Sequence, residues 1–407
     1  MTVHLTINNQ PVEAPEGSTI LEAAELAGIE IPTLCHHPDL TDIGACRMCV
    51  VSVEGARGLQ TACTTPVREG MVVDTMSEEA VASRKFTLEM LLTDHPNECM
   101  TCEVNGDCEL QDLVYDYQVP WPEHNGKRHN YPIDPDPNPF IYIDLNKCIL
   151  CGRCIRACEE IQNRDVWSFA YRGFDTKLVA GADQFMLDAG CESCGTCVAY
   201  CPTGALFDKM SVGKGRVSQV KKVRTTCSYC GVGCNFDLNV RNNEIIRVTS
   251  TREAPVNGLS LCVKGRYGYD YVHHPDRLTR PMVRAKWLNE TLLEAKLARG
   301  EWEAVSEAEK RRSMLTWRRK HGGNGQSHTP KVNGDQVTIT PDTFIRTDWD
   351  TALDIVARKF TKTKKEYGGE AFALMASAKC TNEENFIFNK FTRQMLATHS
   401  IDHCARL

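Results

Sequence analysis

The chain has 407 residues, 42% hydrophobic and 25% charged, with a formal net charge of −6 and 21 cysteines. That length predicts about three domains or more, the acidic balance gives no nucleic-acid footprint, and no run approaches the roughly eighteen apolar residues of a membrane span, so no direct membrane insertion is expected. The opening Met1-Thr-Val-His-Leu-Thr-Ile has neither a basic nor an apolar leader, which argues for a reducing, cytoplasmic setting rather than a secreted disulfide scaffold.

Residues 1–80 begin with alternation. Val3, Leu5 and Ile7 share a face, Asn8-Asn9 turns the chain and Val12 starts a return strand, which predicts a hairpin. A helix is expected from a cap at Ser18 through Ile20, Leu21, Ala24 and Leu26, stopped by Gly28. Cys35, Cys46, Cys49 and Cys63 follow as C-x10-C-x2-C-x13-C. The first gap is longer than in plant-type ferredoxins, yet hairpin, helix and cysteine loop suit a β-grasp [2Fe-2S] module, with a zinc loop as the alternative the spacing leaves open. His36 and His37 read as loop residues, since four thiolates complete the set.

Residues 81–138 form the second predicted domain. Its helix spans about 77–92, capped by Ser77, with Val81, Phe86, Leu88, Leu91 and Leu92 on the apolar side. Cys99, Cys102 and Cys108 then lack a fourth thiol, and His95 stands four residues ahead of them. Imidazole can replace thiolate on iron, so a His95/Cys3 [4Fe-4S] site is expected, against the commoner structural role of a lone histidine. Tyr131-Pro-Ile-Asp-Pro-Asp-Pro-Asn-Pro139 reads as a stiff extended connector.

Residues 139–212 carry the strongest signal. Cys148-Ile-Leu-Cys151-Gly-Arg-Cys154-Ile-Arg-Ala-Cys158 and Cys191-Glu-Ser-Cys194-Gly-Thr-Cys197-Val-Ala-Tyr-Cys201 each have the bacterial ferredoxin spacing, in which the fourth cysteine of a run serves the other cluster. One [4Fe-4S] cluster is therefore assigned to Cys148, Cys151, Cys154 and Cys201, and another to Cys191, Cys194, Cys197 and Cys158. Structural zinc normally takes two spaced pairs instead. Val212 to Arg216 reads as a linker.

Residues 220–280 hold Cys227, Cys230, Cys234 and Cys262 around a small β-meander of Phe236, Leu238, Val240 and Ile245 to Val248. The spacing fits a fifth cluster site or a zinc knuckle. Residues 281–407 change character. A charged, helical stretch from Leu292 to Arg319 and a glycine-rich loop suggest a surface insertion over 288–345. Beyond it come a helix from about Asp350 with Leu353, Val356 and Phe360 on one side, and a buried strand over Ala371 to Ala376. A second helix, boxed by Thr381 and Glu384, carries Phe388, Phe391 and Met395 inward. Helix, strand, helix is half of a doubly wound sheet. Cys380 and Cys404 belong to no set and read as inert core thiols.

The Cys227-x2-Cys230-x3-Cys234 run, Leu261-Cys-Val-Lys-Gly-Arg-Tyr-Gly-Tyr-Asp, Thr381-Asn-Glu-Glu384 and Asp402-His-Cys-Ala-Arg406, set behind the four upstream sites, resemble the catalytic alpha subunit of molybdenum- or tungsten-dependent formate dehydrogenases of the cytoplasmic NAD-linked class. Residues 1–220 are also similar to the large peripheral iron-sulfur subunit of respiratory complex I and to the front of iron-only hydrogenases. The former typically lacks a complete second ferredoxin run, and the latter lacks the Cys227 to Cys262 module. The resemblance implies a multidomain α+β chain ending in a truncated α/β molybdopterin domain, with one [2Fe-2S] and four [4Fe-4S] clusters. It implies molybdopterin guanine dinucleotide with Mo or W in the full-length protein, and places Lys264 between the last cluster and the pterin.

Electrons from formate would leave through the Cys227 site, the ferredoxin pair and the His95 site to flavin/NAD-binding and small iron-sulfur partner subunits. No catalytic residue is assigned within residues 1–407. In the family the run like His403-Cys-Ala-Arg-Leu407 is followed at once by the metal-ligating selenocysteine or cysteine, so a selenocysteine codon after Leu407 is expected, with a fragment or a gene truncation as alternatives. A non-catalytic electron-transfer subunit and a zinc-rich interaction protein are the competing readings.

Overall fold

Asn8 and Asn9 supply the first chain reversal with φ of 50° and 65°, the pair of left-handed residues that a turn matched to strand twist needs. They join β1 (Thr2–Ile7) to β2 (Gln10–Pro15), which bury Val3, Leu5, Ile7 and Val12. α1 (Ile20–Leu26) is capped by Thr19 rather than Ser18, because the Thr19 hydroxyl accepts the Glu22 N–H while the Glu22 carboxylate accepts the Thr19 N–H. Threonine here completes a reciprocal capping box, which position 18 cannot. β3 (Val50–Val53), β4 (Gln60–Thr61) and β5 (Val72–Asp74) finish a sheet of order β2-β1-β5-β3-β4, with β1 and β5 parallel. The computed structural model describes residues 1–122, 127–275, 277–305 and 339–403. It divides into two compact units, Met1–Cys227 with Val232–Asp270, and Ser228–Gly231 with Tyr271–Leu407.

α2 (Glu78–Asp94) starts at the expected Ser77 cap, whose hydroxyl accepts the Ala80 N–H. Its inward face differs from expectation. Phe86 is exposed, and the buried residues are Ala80, Arg84 and Leu88. α3 (Glu109–Asp116) begins directly after Cys108. The proline-rich connector is no free spacer: the Asp136 carboxylate accepts the Met186 N–H at 2.8 Å, and the Asn138 amide donates to Ser193 Oγ at 2.9 Å. Both side chains are buried, so the segment is stitched to the following cysteine-bearing region.

That region is built from short elements. β6 (Ile141–Ile143) pairs with β9 (Leu206–Asp208), and β7 (Trp167–Ala170) with β8 (Lys177–Ala180), both antiparallel. Two four-residue helices, α4 (Arg153–Arg156) and α5 (Thr196–Ala199), carry the inner cysteines. Ile141, Trp167, Leu178, Met186 and Leu206 pack with Cys154 and Cys197 into one core. Beyond it, β10 (Lys221–Thr226), β11 (Asn235–Arg241) and β12 (Glu244–Thr249) form an antiparallel meander, with α6 (Val263–Tyr267) following. The expected alternation of β11 is broken. Asp237 and Asn239 are buried, held by Arg224 and Thr249, while Leu238 and Val240 are half-buried beside a register shift.

In the second unit the described residues of the expected insertion are folded. The strands Met282–Arg284, Phe344–Arg346 and Glu303–Ala304 form a three-stranded sheet, and with the helix Glu290–Ala298 they enclose Ala285, Leu293, Trp302 and Ile345. Residues 306–338 lie outside the described set. The helix Trp349–Tyr367 leaves Leu353 and Val356 exposed, and Met395 is likewise exposed after the helix Asn382–Phe391. The expected buried strand is only Leu374–Ala376, not buried, paired in parallel with Ile401–His403. Among the described residues no helix is long and apolar enough to cross a membrane.

Asp348 caps the helix Trp349–Tyr367 by accepting the Thr351 N–H at 2.7 Å, and it also accepts the Trp302 indole N–H at 3.0 Å. The Thr351 bonds, then Trp302, hold its carboxyl down at about 2. Asp348→Ala is expected to cost about 1 kcal/mol in urea denaturation at neutral pH. A depressed carboxyl stabilises fully above its unfolded value near 4, so the difference between variants should shrink as pH falls toward about 2.

Candidate functional site

No described cysteine is in a disulfide, and among the described residues no three His, Cys, Asp or Glu side chains gather around a single-ion position. The thiols are instead arranged in wider sets. Cys35, Cys46, Cys49 and Cys63 form two pairs. Cys35 and Cys46 exchange N–H···S contacts of 3.4 Å, and the Cys49 and Cys63 sulfurs lie 3.4 Å apart. The pairs sense each other, since the charge of Cys35 acts on both Cys49 and Cys63. Hydrogen bonding within each pair draws Cys46 down to about 6 and Cys49 to about 7, and pushes Cys35 and Cys63 up. Crowded thiols that cannot all ionise alone are what a bound cation resolves. His36 is turned to Asp42 at 2.5 Å, and burial lowers His37 to about 4, its ring 4.5 Å from Tyr200.

Cys99, Cys102 and Cys108 act on one another electrostatically, and burial pushes Cys108 up to about 11. Cys102 Sγ is packed so closely on Gly204 that a Cβ there would approach it to 2.9 Å. His95 ends α2; its Nδ1 lies 3.1 Å from the Pro96 carbonyl. A carbonyl only accepts, so Nδ1 carries the proton and Nε2 keeps its lone pair. That Nε2 is buried with no hydrogen-bond partner, and burial lowers the imidazole pKa, favouring the neutral ring. Lys147 lies within electrostatic reach of both His95 and Cys102.

The ferredoxin-like runs share one backbone path. Leu150 and Ser193 have φ of 53° and 55°, Gly152 and Gly195 have 71° and 72°, and each run then enters its short helix. Cys148, Cys151, Cys154 and Cys201 line one cavity, and Cys158, Cys191, Cys194 and Cys197 line a second. The fourth thiol of each set thus comes from the other run. Burial pushes Cys148 and Cys151 up to about 12, and it also raises the enclosed Cys154 and Cys197 well above the ordinary thiol value.

The last set is divided. In the first unit the Cys227 N–H donates to the Cys234 carbonyl at 2.8 Å, and a Cβ on Gly265 would lie 3.8 Å from Cys227 Sγ. Cys262 and Lys264 are exposed there, while Cys230 falls in the Ser228–Gly231 stretch of the second unit. Cys380 is half-buried rather than a core thiol, and Cys404 lies outside the described residues.

Four buried arginines escaped the sequence reading. Arg153 forks onto Glu109, the residue after Cys108, at 2.6 and 2.8 Å. Arg156 donates to the Thr41 and Cys35 carbonyls at 2.5 Å each, and to Cys151 O at 3.4 Å. Arg266 donates to the Cys194 carbonyl at 3.0 Å, and Arg84 to the Val50 carbonyl at 2.7 Å. Their partners are backbone atoms or distant residues, so no local pattern distinguishes them from surface arginines.

Family models match the chain from end to end. They describe a 2Fe-2S iron-sulfur cluster binding domain over 1–78, an NADH-ubiquinone oxidoreductase-G iron-sulfur binding region over 84–121, and a ferredoxin-like domain of NADH-quinone oxidoreductase subunit 3 over 138–207. A molybdopterin oxidoreductase Fe4S4 domain over 220–274 and a molybdopterin oxidoreductase over 277–407 follow. The chain is 32% identical to the NADPH-Fe(3+) oxidoreductase subunit alpha of Geobacter sulfurreducens over 405 residues, 100% of this chain and 40% of that one. A Staphylococcus haemolyticus protein provisionally named a formate dehydrogenase is 26% identical over 447 residues, 100% of this chain and 39% of that one. In the crystal structure of an NAD+-reducing [NiFe]-hydrogenase in the H2-reduced state, one chain is 32% identical with a TM-score of 0.50, covering 53% of this chain and 91% of that one. The chain thus spans about 40% of the length of the curated relatives it matches. These matches, laid over the cysteine sets in the same order, place the chain in the NADH-quinone oxidoreductase G-like and molybdopterin oxidoreductase family with iron-sulfur domains.

Proposed function

We propose that this chain is the electron-relay front of a formate dehydrogenase alpha subunit, which oxidises formate to CO2, or runs the reverse, in exchange with NAD on a partner. The observation that carries the relay is the crossed arrangement of thiols, four around each of two cavities. The residues fit the implied groups. Two thiol pairs suit a two-iron centre, and the orphaned Nε2 of His95 suits an imidazole ligand beside Cys99, Cys102 and Cys108; the fifth set, Cys227, Cys230, Cys234 and Cys262, rests on its spacing in the sequence. Bound there, one [2Fe-2S] and four [4Fe-4S] clusters would accept and release single electrons. The chain's own part is to hold the thiols at fixed depth, exclude water with the Trp167 and Leu178 core, and donate N–H bonds such as Ser193 to Cys191 Sγ at 3.3 Å, which tune potentials. Lys264, exposed after Cys262, would face the pterin.

The formate assignment is supported by the Thr381-Asn-Glu-Glu384 and Asp402-His-Cys-Ala-Arg406 runs and by the provisionally named relative matched along the whole chain. The models over 84–121 and 138–207 favour a second reading, a subunit-G-like relay without formate chemistry. Full-length protein purified anaerobically with its partner subunits separates them. About 18 iron atoms per chain and formate-dependent reduction of the clusters are expected; full iron content with clusters reduced by NADH but never by formate would leave only the relay.

His95 can be tested in the same preparation. His95→Ala should remove about four iron atoms per chain, whereas His95→Cys should keep them but lower that centre's potential by adding a negative ligand. Unchanged iron in the alanine variant would return His95 to a structural role.

A further inference from the structure

Three guanidinium groups are buried with no carboxylate partner among the described residues. Arg84 is 0% exposed, Arg266 2% and Arg156 6%. Their partners are neutral, chiefly carbonyls, and each arginine reaches at least one carbonyl of a candidate ligand or its neighbour: Cys194 for Arg266, Val50 beside Cys49 for Arg84, and both Cys35 and Cys151 for Arg156. The fold can provide an anion where one is needed, since the equally buried Arg153 has Glu109 in a two-point fork. A buried cation without a counter-charge is costly, and carbonyl dipoles offset only part of that cost.

We propose that these arginines are counter-charges of the iron-sulfur centres, and that Arg156 serves two at once, the Cys35 centre and the Cys148 centre. This rests on reading the cysteine sets as cluster ligands. Thiolate-held clusters are net negative and gain a further negative charge on reduction, so a fixed cation beside them stabilises the reduced state and raises the potential. Arg156 enters from α4 and reaches the Cys35 loop through Thr41 and Cys35, so one side chain biases both centres in the same direction and holds their backbones together. The role is positional and electrostatic; Arg156 touches no substrate.

The test is an EPR-monitored redox titration of the full-length protein with all clusters loaded. Arg156→Gln should weaken reduction of both the [2Fe-2S] and the Cys148 centre by about tenfold, equivalent to about 59 mV for a one-electron step, with little change at the His95 centre. Arg156→Lys, which keeps the charge, should recover most of the shift. If Arg156→Gln loses its clusters, Arg266→Gln carries the same test, lowering the potential of the Cys191 centre while the Cys35 centre stays put. Intact signals at unchanged potentials would overturn the counter-charge role, and a shift confined to one centre in Arg156→Gln would overturn the claim that Arg156 serves two. Absence of both signals from wild-type protein would defeat the ligand reading itself.

Discussion

Gly195→Ala is expected to be among the most damaging single substitutions in the first unit. A Cβ at this position would stand 2.4 Å from both Arg266 Cδ and Tyr267 Oη, and the backbone is held at φ +72°. Neither neighbour can retreat easily. Arg266 is tied to the Cys194 and Leu259 carbonyls, and Tyr267 is buried with its ring stacked on Phe140 at 4.9 Å. Left-handed strain of about 1–3 kcal/mol and overpacking of about 1–3 kcal/mol together approach roughly half the stability of an ordinary domain. Gly190 provides the control, because it has φ +82° but nothing within 4 Å of the place a methyl group would occupy. Gly190→Ala should therefore suffer the backbone strain alone. Denaturant unfolding of the two variants side by side decides the matter, and equal losses would show that the contact with Arg266 and Tyr267 is not the cause.

Cys154→Ala should remove about four iron atoms per chain and leave the remaining centres spectroscopically intact. Cys154 sits in the same core as Trp167 and Leu178 and lines the cavity shared by Cys148, Cys151 and Cys201. Three thiols, Cys148, Cys151 and Cys201, would then face a space with no fourth ligand, and a structural cluster contributes folding energy by analogy with structural zinc. Loss of the centre should therefore also lower the unfolding midpoint. Cys380→Ala is the matched negative control, since that half-buried thiol belongs to no set. Full iron retention in Cys154→Ala would remove it from the ligand list.

Spacing and local chemistry made much of this legible. The Asn8-Asn9 turn, the Ser77 cap and the Thr381–Glu384 box depend on residues close together in the chain, and the structure has each of them. The crossed pairing of the two ferredoxin-like runs was also readable from spacing, and each foursome lines one cavity. Long-range polar contacts could not be read this way. Helical periodicity put Phe86 inside α2, yet the inward position belongs to Arg84, whose bonds to Val50 O and Tyr117 Oη come from other elements. Asp136 and Asn138 looked like linker residues for the same reason, as their partners Met186 and Ser193 are some fifty residues away. In the second unit, apolar periodicity put Leu353 and Met395 on inward faces, yet both are exposed, because periodicity identifies an apolar face and not what covers it.

The stitched connector also sets an order of events during synthesis. Asn138 leaves the ribosome well before Ser193, and Asp136 before Met186, so the two anchors wait until the chain has reached the start of the second cysteine run. Cys201, which completes the set of the first run, emerges later still, and Cys158 waits for Cys191, Cys194 and Cys197. Until then the nascent segment holds reactive thiols without a finished enclosure. A chaperone or scaffold that delivers iron too early would meet two half-built nests, and timing of delivery becomes as much a part of maturation as affinity.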